Sequence, residues 1–232
     1  MRLINQLAVG LLAFAGTVSF SNTAQAAAIP WANPVGTVPG QFSWSNGESD
    51  GGLYGNPIVV GSSFLFFPSN FKAVSTNGVA ATITDRLSVD LQIAPGKTLT
   101  GFSVHEIGDF QITGTGQVQA SGQLLVTNTG PNGGQTLISN LVSTPGSPMN
   151  GPTAGALTWT ADASVSILPT GWTNVHIVLN NILDAVSGPN STATIQKKVV
   201  QGGVEITLIV PEPASISAIG LAGSMLLLRR RK

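Results

Sequence analysis

Between Ile58 and Val210 apolar and polar residues alternate with a period of two, the pattern of strands that bury one face and leave the other in water. Leu87, Val89, Leu91 and Ile93 alternate with Ser88, Asp90 and Gln92, and Val204, Ile206 and Leu208 alternate with Glu205 and Thr207. The same alternation runs through Leu99 to Val104, Gln117 to Val126, Ala163 to Leu168 and Val175 to Leu179. Turn-forming clusters separate these segments: Ala94-Pro95-Gly96-Lys97, Gly130 to Gly134, and the long run from Pro145 to Pro152. No long stretch holds a 3.6-residue period, and Asn180 to Val186, the one candidate, is too short for a helix. Six to ten strands in a region of about 180 residues are expected to pack as two antiparallel sheets, an all-β sandwich, with a β-barrel as the alternative. Residues 27 to 57, rich in Pro, Gly, Trp and Asn, read as a loop-rich lead-in with one strand near Gln41 to Trp44.

The two ends break this pattern. Arg2, the apolar run Leu7 to Val18 and the small-x-small triplet Ala24-Gln25-Ala26 form a secretory signal peptide over residues 1–26. Cleavage between Ala26 and Ala27 would start the mature chain at Ala27, with a rival site after Ala28. At the other end, Pro211-Glu212-Pro213 is followed by an uncharged stretch from Ser215 to Leu228 and by Arg229, Arg230, Arg231 and Lys232. A helix over Ala214 to Leu228 rises about 22 Å against a bilayer core of about 30 Å. It is a short transmembrane helix, the mismatch being absorbed by snorkelling cations and local thinning, or else a buried terminal helix. If it spans, the basic cluster lies on the cytoplasmic side and the domain outside, the orientation that the signal peptide also gives.

The proline-glutamate-proline element, the apolar span and the basic stop, in that order, resemble the PEP-CTERM sorting signal over residues 210–232. The resemblance implies a Gram-negative bacterium, passage through an exosortase, and final residence at the cell surface or in an exopolysaccharide or biofilm matrix. It assigns Pro211, Glu212 and Pro213 to recognition, Ser215 to Leu228 to the membrane segment, and Arg229, Arg230, Arg231 and Lys232 to the stop. Residues 27–209 are then the extracellular all-β domain.

Composition narrows what that domain does. Charged residues make up 9% of the 232-residue chain, against roughly 25% in ordinary soluble proteins. Between Ala27 and Pro211 five lysines and arginines face nine aspartates and glutamates, a net charge of −4 that argues against a nucleic-acid partner. With no cysteine there is neither a disulfide nor a thiolate site.

Catalytic motifs are absent or broken. His105-Glu106 followed by Asp109 lacks the second histidine of a zinc-protease helix, and alternation places His105 on the solvent side of a strand beside Ser103, with no partner expected. His176 has no acidic neighbour closer in sequence than Asp184. Gly101-Phe102-Ser103-Val104-His105 lacks the second glycine of a nucleophile elbow, and Gly114-Thr115-Gly116 lacks the third glycine of a dinucleotide loop. Asn46, Glu48 and Asp50, spaced as the first oxygen ligands of a calcium loop, lack the acidic residue at position twelve, where Pro57 stands. They read as a solvated turn with a noncanonical calcium site as the alternative. Trp159 and Trp172 are expected in the core, while Trp31, Trp44 and Tyr54 remain candidate platforms for sugar rings. The sequence therefore reads as an exported, non-enzymatic surface or matrix protein with no cofactor. Its alternatives are a carbohydrate- or calcium-binding adhesion module and, less favoured, a secreted hydrolase.

Overall fold

The computed structural model describes residues 27–131, 133–167, 171–199 and 202–210. The cleavage-site residues Ala24 and Ala26, the Pro211-Glu212-Pro213 element, the apolar run and Arg229 to Lys232 lie outside the described residues. Among the described residues no helix is long and apolar enough to cross a membrane.

Sixteen strands follow one another along the described residues. The first six are β1 (Ile29–Pro30), β2 (Gly36–Val38), β3 (Phe42–Ser49), β4 (Ile58–Val60), β5 (Ser63–Phe66) and β6 (Lys72–Thr76). Next come β7 (Ala81–Ile93), β8 (Gly101–Thr113), β9 (Gly116–Asn128), β10 (Thr136–Asn140), β11 (Val142–Thr144) and β12 (Met149–Asn150). Last are β13 (Leu157–Ser166), β14 (Asn174–Ser187), β15 (Thr192–Lys197) and β16 (Val204–Ile209). They form two eight-stranded sheets, in which every strand pairing is antiparallel. The first sheet runs β1-β3-β7-β14-β9-β10, with β2 on β3 and β12 on β9. The second runs β11-β13-β8-β16-β5-β4, and β15 joins β8 to β6. The domain is a β-sandwich, the first of the two architectures expected from the alternation.

Phase decides which residues enter the core. On β7, Leu87, Val89, Leu91 and Ile93 are all buried, as are Phe102, Val104, Phe110 and Ile112 on β8 and Val175, Ile177, Leu179 and Leu183 on β14. Fully burying one such side chain is worth roughly 1.5–3 kcal/mol, and together they clamp the two sheets. The strand count exceeds six to ten because β1, β2, β4, β5, β11 and β12 are only two to four residues long, too short to show a period. Asn180 to Val186 is strand, inside β14, and Gly114-Thr115 is the turn that carries the chain from β8 in the second sheet to β9 in the first, which Gly116 opens, with Gly114 at φ +81°.

The lead-in is more ordered than expected. It supplies β1, β2 and β3, and its aromatic rings close one end of the core: Trp31 packs on Phe64 and Phe66 with ring centroids 5.9 and 5.4 Å away, and Tyr54 on Phe66 and Phe71 at 5.9 and 5.5 Å. The turn after β3 is organised from within by Asp85. Its carboxylate accepts from Ser49 Oγ at 3.0 Å and from the backbone N–H groups of Gly51, Leu53 and Arg86 at 2.7, 2.7 and 2.8 Å, which satisfies a buried charge with four donors.

Candidate functional site

The outer face of the first sheet carries a cleft. β3, β7 and β14 lie side by side there, so their outward positions fall into cross-strand rows. Ser45 stands opposite Asp90, and Asp90 opposite His176; one step along, Ser43 stands opposite Gln92 and Gln92 opposite Asn174. All of these except His176, with Trp44 and the Gly36-Thr37 segment of β2, line a cleft of about 780 Å³.

Asp90 is its fixed point. One carboxylate oxygen lies 2.7 Å from His176 Nδ1 and the other accepts from Asn46 Nδ2 at 2.7 Å. Asn46 reaches it because β3 bulges between Ser45 and Glu48, with Asn46 at φ +54°. The bulge needs Gly47 as well, since a Cβ there would lie 2.1 Å from the Trp31 ring. The segment proposed from spacing as a calcium loop is thus mostly strand. Asn46 turns to Asp90, Glu48 accepts from Ser88 Oγ at 3.3 Å, and Asp50 lies 3.8 Å from Arg86 Nη1. Among the described residues no three His, Asp or Glu side chains gather as a metal cage.

Trp44 is the sugar-platform candidate that stays accessible. It is half-buried, its Nε1 donates to the Asn33 carbonyl at 3.1 Å, and its ring stands edge-on to Phe64 at 5.6 Å. Trp31 and Tyr54, the other two candidates, are buried, and so are Trp159 and Trp172, as expected.

Both histidines have partners that the sequence reading did not provide. His105, exposed on β8 as alternation predicts, lies 2.7 Å from Asp162 on β13 through Nδ1, and faces Glu205 on β16 across the other edge of its strand. His176 pairs with Asp90. The missing signal was register: both aspartates stand directly opposite their histidines on neighbouring strands, yet 57 and 86 residues away in sequence.

A second polar constellation is hidden between the sheets. Edge sharing along β8 changes hands at Ile107, with β16 paired to residues 101–106 and β15 to residues 108–113. Beside that junction the Lys197 ammonium contacts Glu106 Oε2 and donates to Asn181 Oδ1 at 3.1 Å. The Asn181 amide nitrogen donates to Glu106 Oε1 at 2.6 Å and to the Tyr54 hydroxyl at 2.8 Å. Tyr54 in turn donates to the Leu179 carbonyl at 3.3 Å. All four side chains are buried, and the rings of Phe71 and Trp159 lie 5.1 and 5.5 Å from Lys197 Nζ. Burial pushes the Lys197 ammonium below its ordinary value, against the opposing pull of Glu106. Burial, then the Glu106 charge, pushes the Tyr54 phenol well above its own.

No protein-family model and no curated protein matches the chain. Among solved structures it is distantly similar to TmCBM61 in complex with β-1,4-galactotriose, at 10% identity and a TM-score of 0.25 over 77% of this chain and 97% of that one. A carbohydrate binding module of family 29 gives 10% identity and a TM-score of 0.21 over 78% and 86%. An infectious bursal disease virus VP2 subviral particle gives 13% and 0.18 over 76% and 55%. Scores this low carry no statement about what the chain binds.

Proposed function

We propose that the β-sandwich is a non-catalytic carbohydrate-binding module that uses the cleft over β3, β7 and β14. The observation that carries this reading is the grouping of Asp90, Gln92, Asn174 and two serines in a cleft that Trp44, half-buried with its ring packed against the core, also lines. Sugar hydroxyls both donate and accept, so a saccharide site needs carboxylate and amide groups held in fixed directions together with an apolar surface for the C–H faces. Asp90 meets the first requirement, because His176 and Asn46 fix its orientation while leaving each oxygen further acceptor capacity. Trp44, which lines the same cleft and keeps part of its surface accessible, is the candidate for the second.

The test is affinity electrophoresis and calorimetry of the exported chain against a panel of neutral and acidic polysaccharides. Asp90→Ala with Gln92→Ala should weaken binding at least tenfold, two lost hydrogen bonds at about 1 kcal/mol each being enough. His105→Ala, on the opposite sheet, should leave it unchanged. Absence of binding across the panel, or binding indifferent to the Asp90, Gln92 and Trp44 substitutions, refutes the reading.

The terminal segments support the setting rather than the chemistry. In this proposal the chain is exported by its signal peptide, held by the 210–232 segment, and delivered by an exosortase to a surface or matrix where polysaccharide is the abundant polymer.

A further inference from the structure

We propose that Lys197 and Asn181 join through a self-formed amide bond that links the two sheets covalently, with Glu106 as the proton-transfer group. This does not rest on the sugar-binding reading. Three observations of geometry carry it. Lys197 Nζ lies 3.1 Å from Asn181 Oδ1, the oxygen bonded to the carbon that would be attacked. The Glu106 carboxylate bridges the two reactants, Oε2 on the nucleophile Nζ and Oε1 on Nδ2, the nitrogen that would leave. All three groups are at most 3% exposed and are walled by Phe71 and Trp159, so water is kept from competing.

The chemistry balances without any added reagent. Glu106 takes a proton from the Lys197 ammonium and leaves a neutral amine. The Nζ lone pair attacks Asn181 Cγ, and the N–C bond forms as the Oδ1 charge develops. The Cγ–Nδ2 bond then breaks as Glu106 hands its proton to Nδ2. Ammonia departs with the remaining proton as ammonium, so Glu106 ends as the carboxylate it was. Nothing is oxidised or reduced. Burial favours the neutral amine that the first step needs, and a lysine, unlike an arginine, can supply it. Holding amine and amide in one enclosed site replaces a bimolecular encounter with an intramolecular one, a gain that reaches effective molarities of about 10⁵–10⁸ M. A buried ion pair on its own returns little stability, so the placement of an amide between lysine and glutamate is better explained by reaction than by packing.

The placement also gives the bond a job. Asn181 lies on β14 in the first sheet and Lys197 on β15 in the second, so the link crosses the sandwich in a chain that has no cysteine.

The test is mass spectrometry of the purified full chain, digested by a protease that cuts before aspartate. Asp162 and Asp184 put Asn181 in a fragment spanning residues 162–183 and Lys197 in the fragment that begins at Asp184. The expected result is a single joined species, lighter than the sum of the two fragments by one ammonia. Glu106→Gln and Lys197→Met should return the two fragments separately. Wild-type protein with a native strand spectrum that yields two unlinked fragments at full mass overturns the proposal, whatever the variants do. So does an ammonia loss that maps to an Asn-Gly step such as Asn46-Gly47, or a loss of water in place of ammonia, which would put the bond at Glu106.

Discussion

Gly108 is a position where one added methyl group should do much damage. It stands opposite Trp159 on one neighbour and opposite Lys197 on the other, and its missing side chain is the space into which the Trp159 indole lies. A Cβ at Gly108 would sit 2.2 Å from the Gln196 carbonyl oxygen and 2.3 Å from the Trp159 ring, where ordinary contacts between carbon atoms are about 3.5–4.0 Å. The carbonyl belongs to β15 and cannot retreat without parting β15 from β8, and Trp159 is fully buried. Relief therefore requires a strand to shift by roughly an ångström, at a cost near the upper end of the about 1–3 kcal/mol typical of overpacking. At about 2–4 °C per kcal/mol for a domain of this size, Gly108→Ala should lower the thermal midpoint by about 6–12 °C. Gly146→Ala is the control, since its Cβ would meet nothing within 4 Å and the residue is exposed. It should leave the midpoint unchanged or raise it slightly, by up to about 1 kcal/mol of stability. Thermal unfolding followed by far-ultraviolet circular dichroism reads both. If Gly108→Ala melts within a degree of wild type, the close packing of Trp159 on β8 is wrong.

Val89→Asp and Ile206→Asp should each prevent folding, because both positions are 1% exposed and an unpaired charge there has no partner; a native spectrum from either would contradict the assigned strand phase. Tyr54 is the single tyrosine, and its phenol is held well above the ordinary value. Above pH of about 10 the unfolded tyrosine ionises while the folded one stays protonated, so the unfolded state gains and stability falls as pH rises. Tyrosinate absorbance of the native protein should therefore appear only with unfolding, and Tyr54→Phe should flatten that alkaline loss; an early, reversible titration in the folded state would contradict it. Glu212→Ala should leave the exported protein anchored and unprocessed, whereas deleting residues 214–232 should release it. Fractionation and intact mass, with and without an exosortase, check this, and an identical wild-type mass and location in both hosts would refute the sorting reading.

How much was legible in the sequence depended on strand length. β7, β8, β9 and β14 each run for thirteen or fourteen residues, long enough for alternation to declare both the strand and its buried face. The hidden polar constellation was half legible. Glu106 follows Phe102 and Val104 in phase, and Lys197 follows Ala193 and Ile195, so the period of two already places both inside. That they meet each other, and Asn181, depends on how the sheets stack, which no local pattern encodes. Partners such as Asp162 for His105 depend on register in the same way. Trp31 and Tyr54 were misjudged for a different reason: their segments have no period, and their burial comes from folding across the open end of the core rather than from membership of a long strand.

The position of β16 sets how the domain answers tension. This strand is bonded along its whole length to β8 and, from Val204 to Thr207, to β5 on its other side, and the chain leaves it at Val210. A pull applied there acts parallel to the strand and perpendicular to its hydrogen bonds, so the two ladders are strained together in shear instead of being unzipped rung by rung. The Ser63 and Thr207 hydroxyls, 2.7 Å apart across the β5–β16 seam, add one more tie in the same direction. A domain held by its C-terminal end while its other sheet grips a polymer would thus meet force along its stiffest axis.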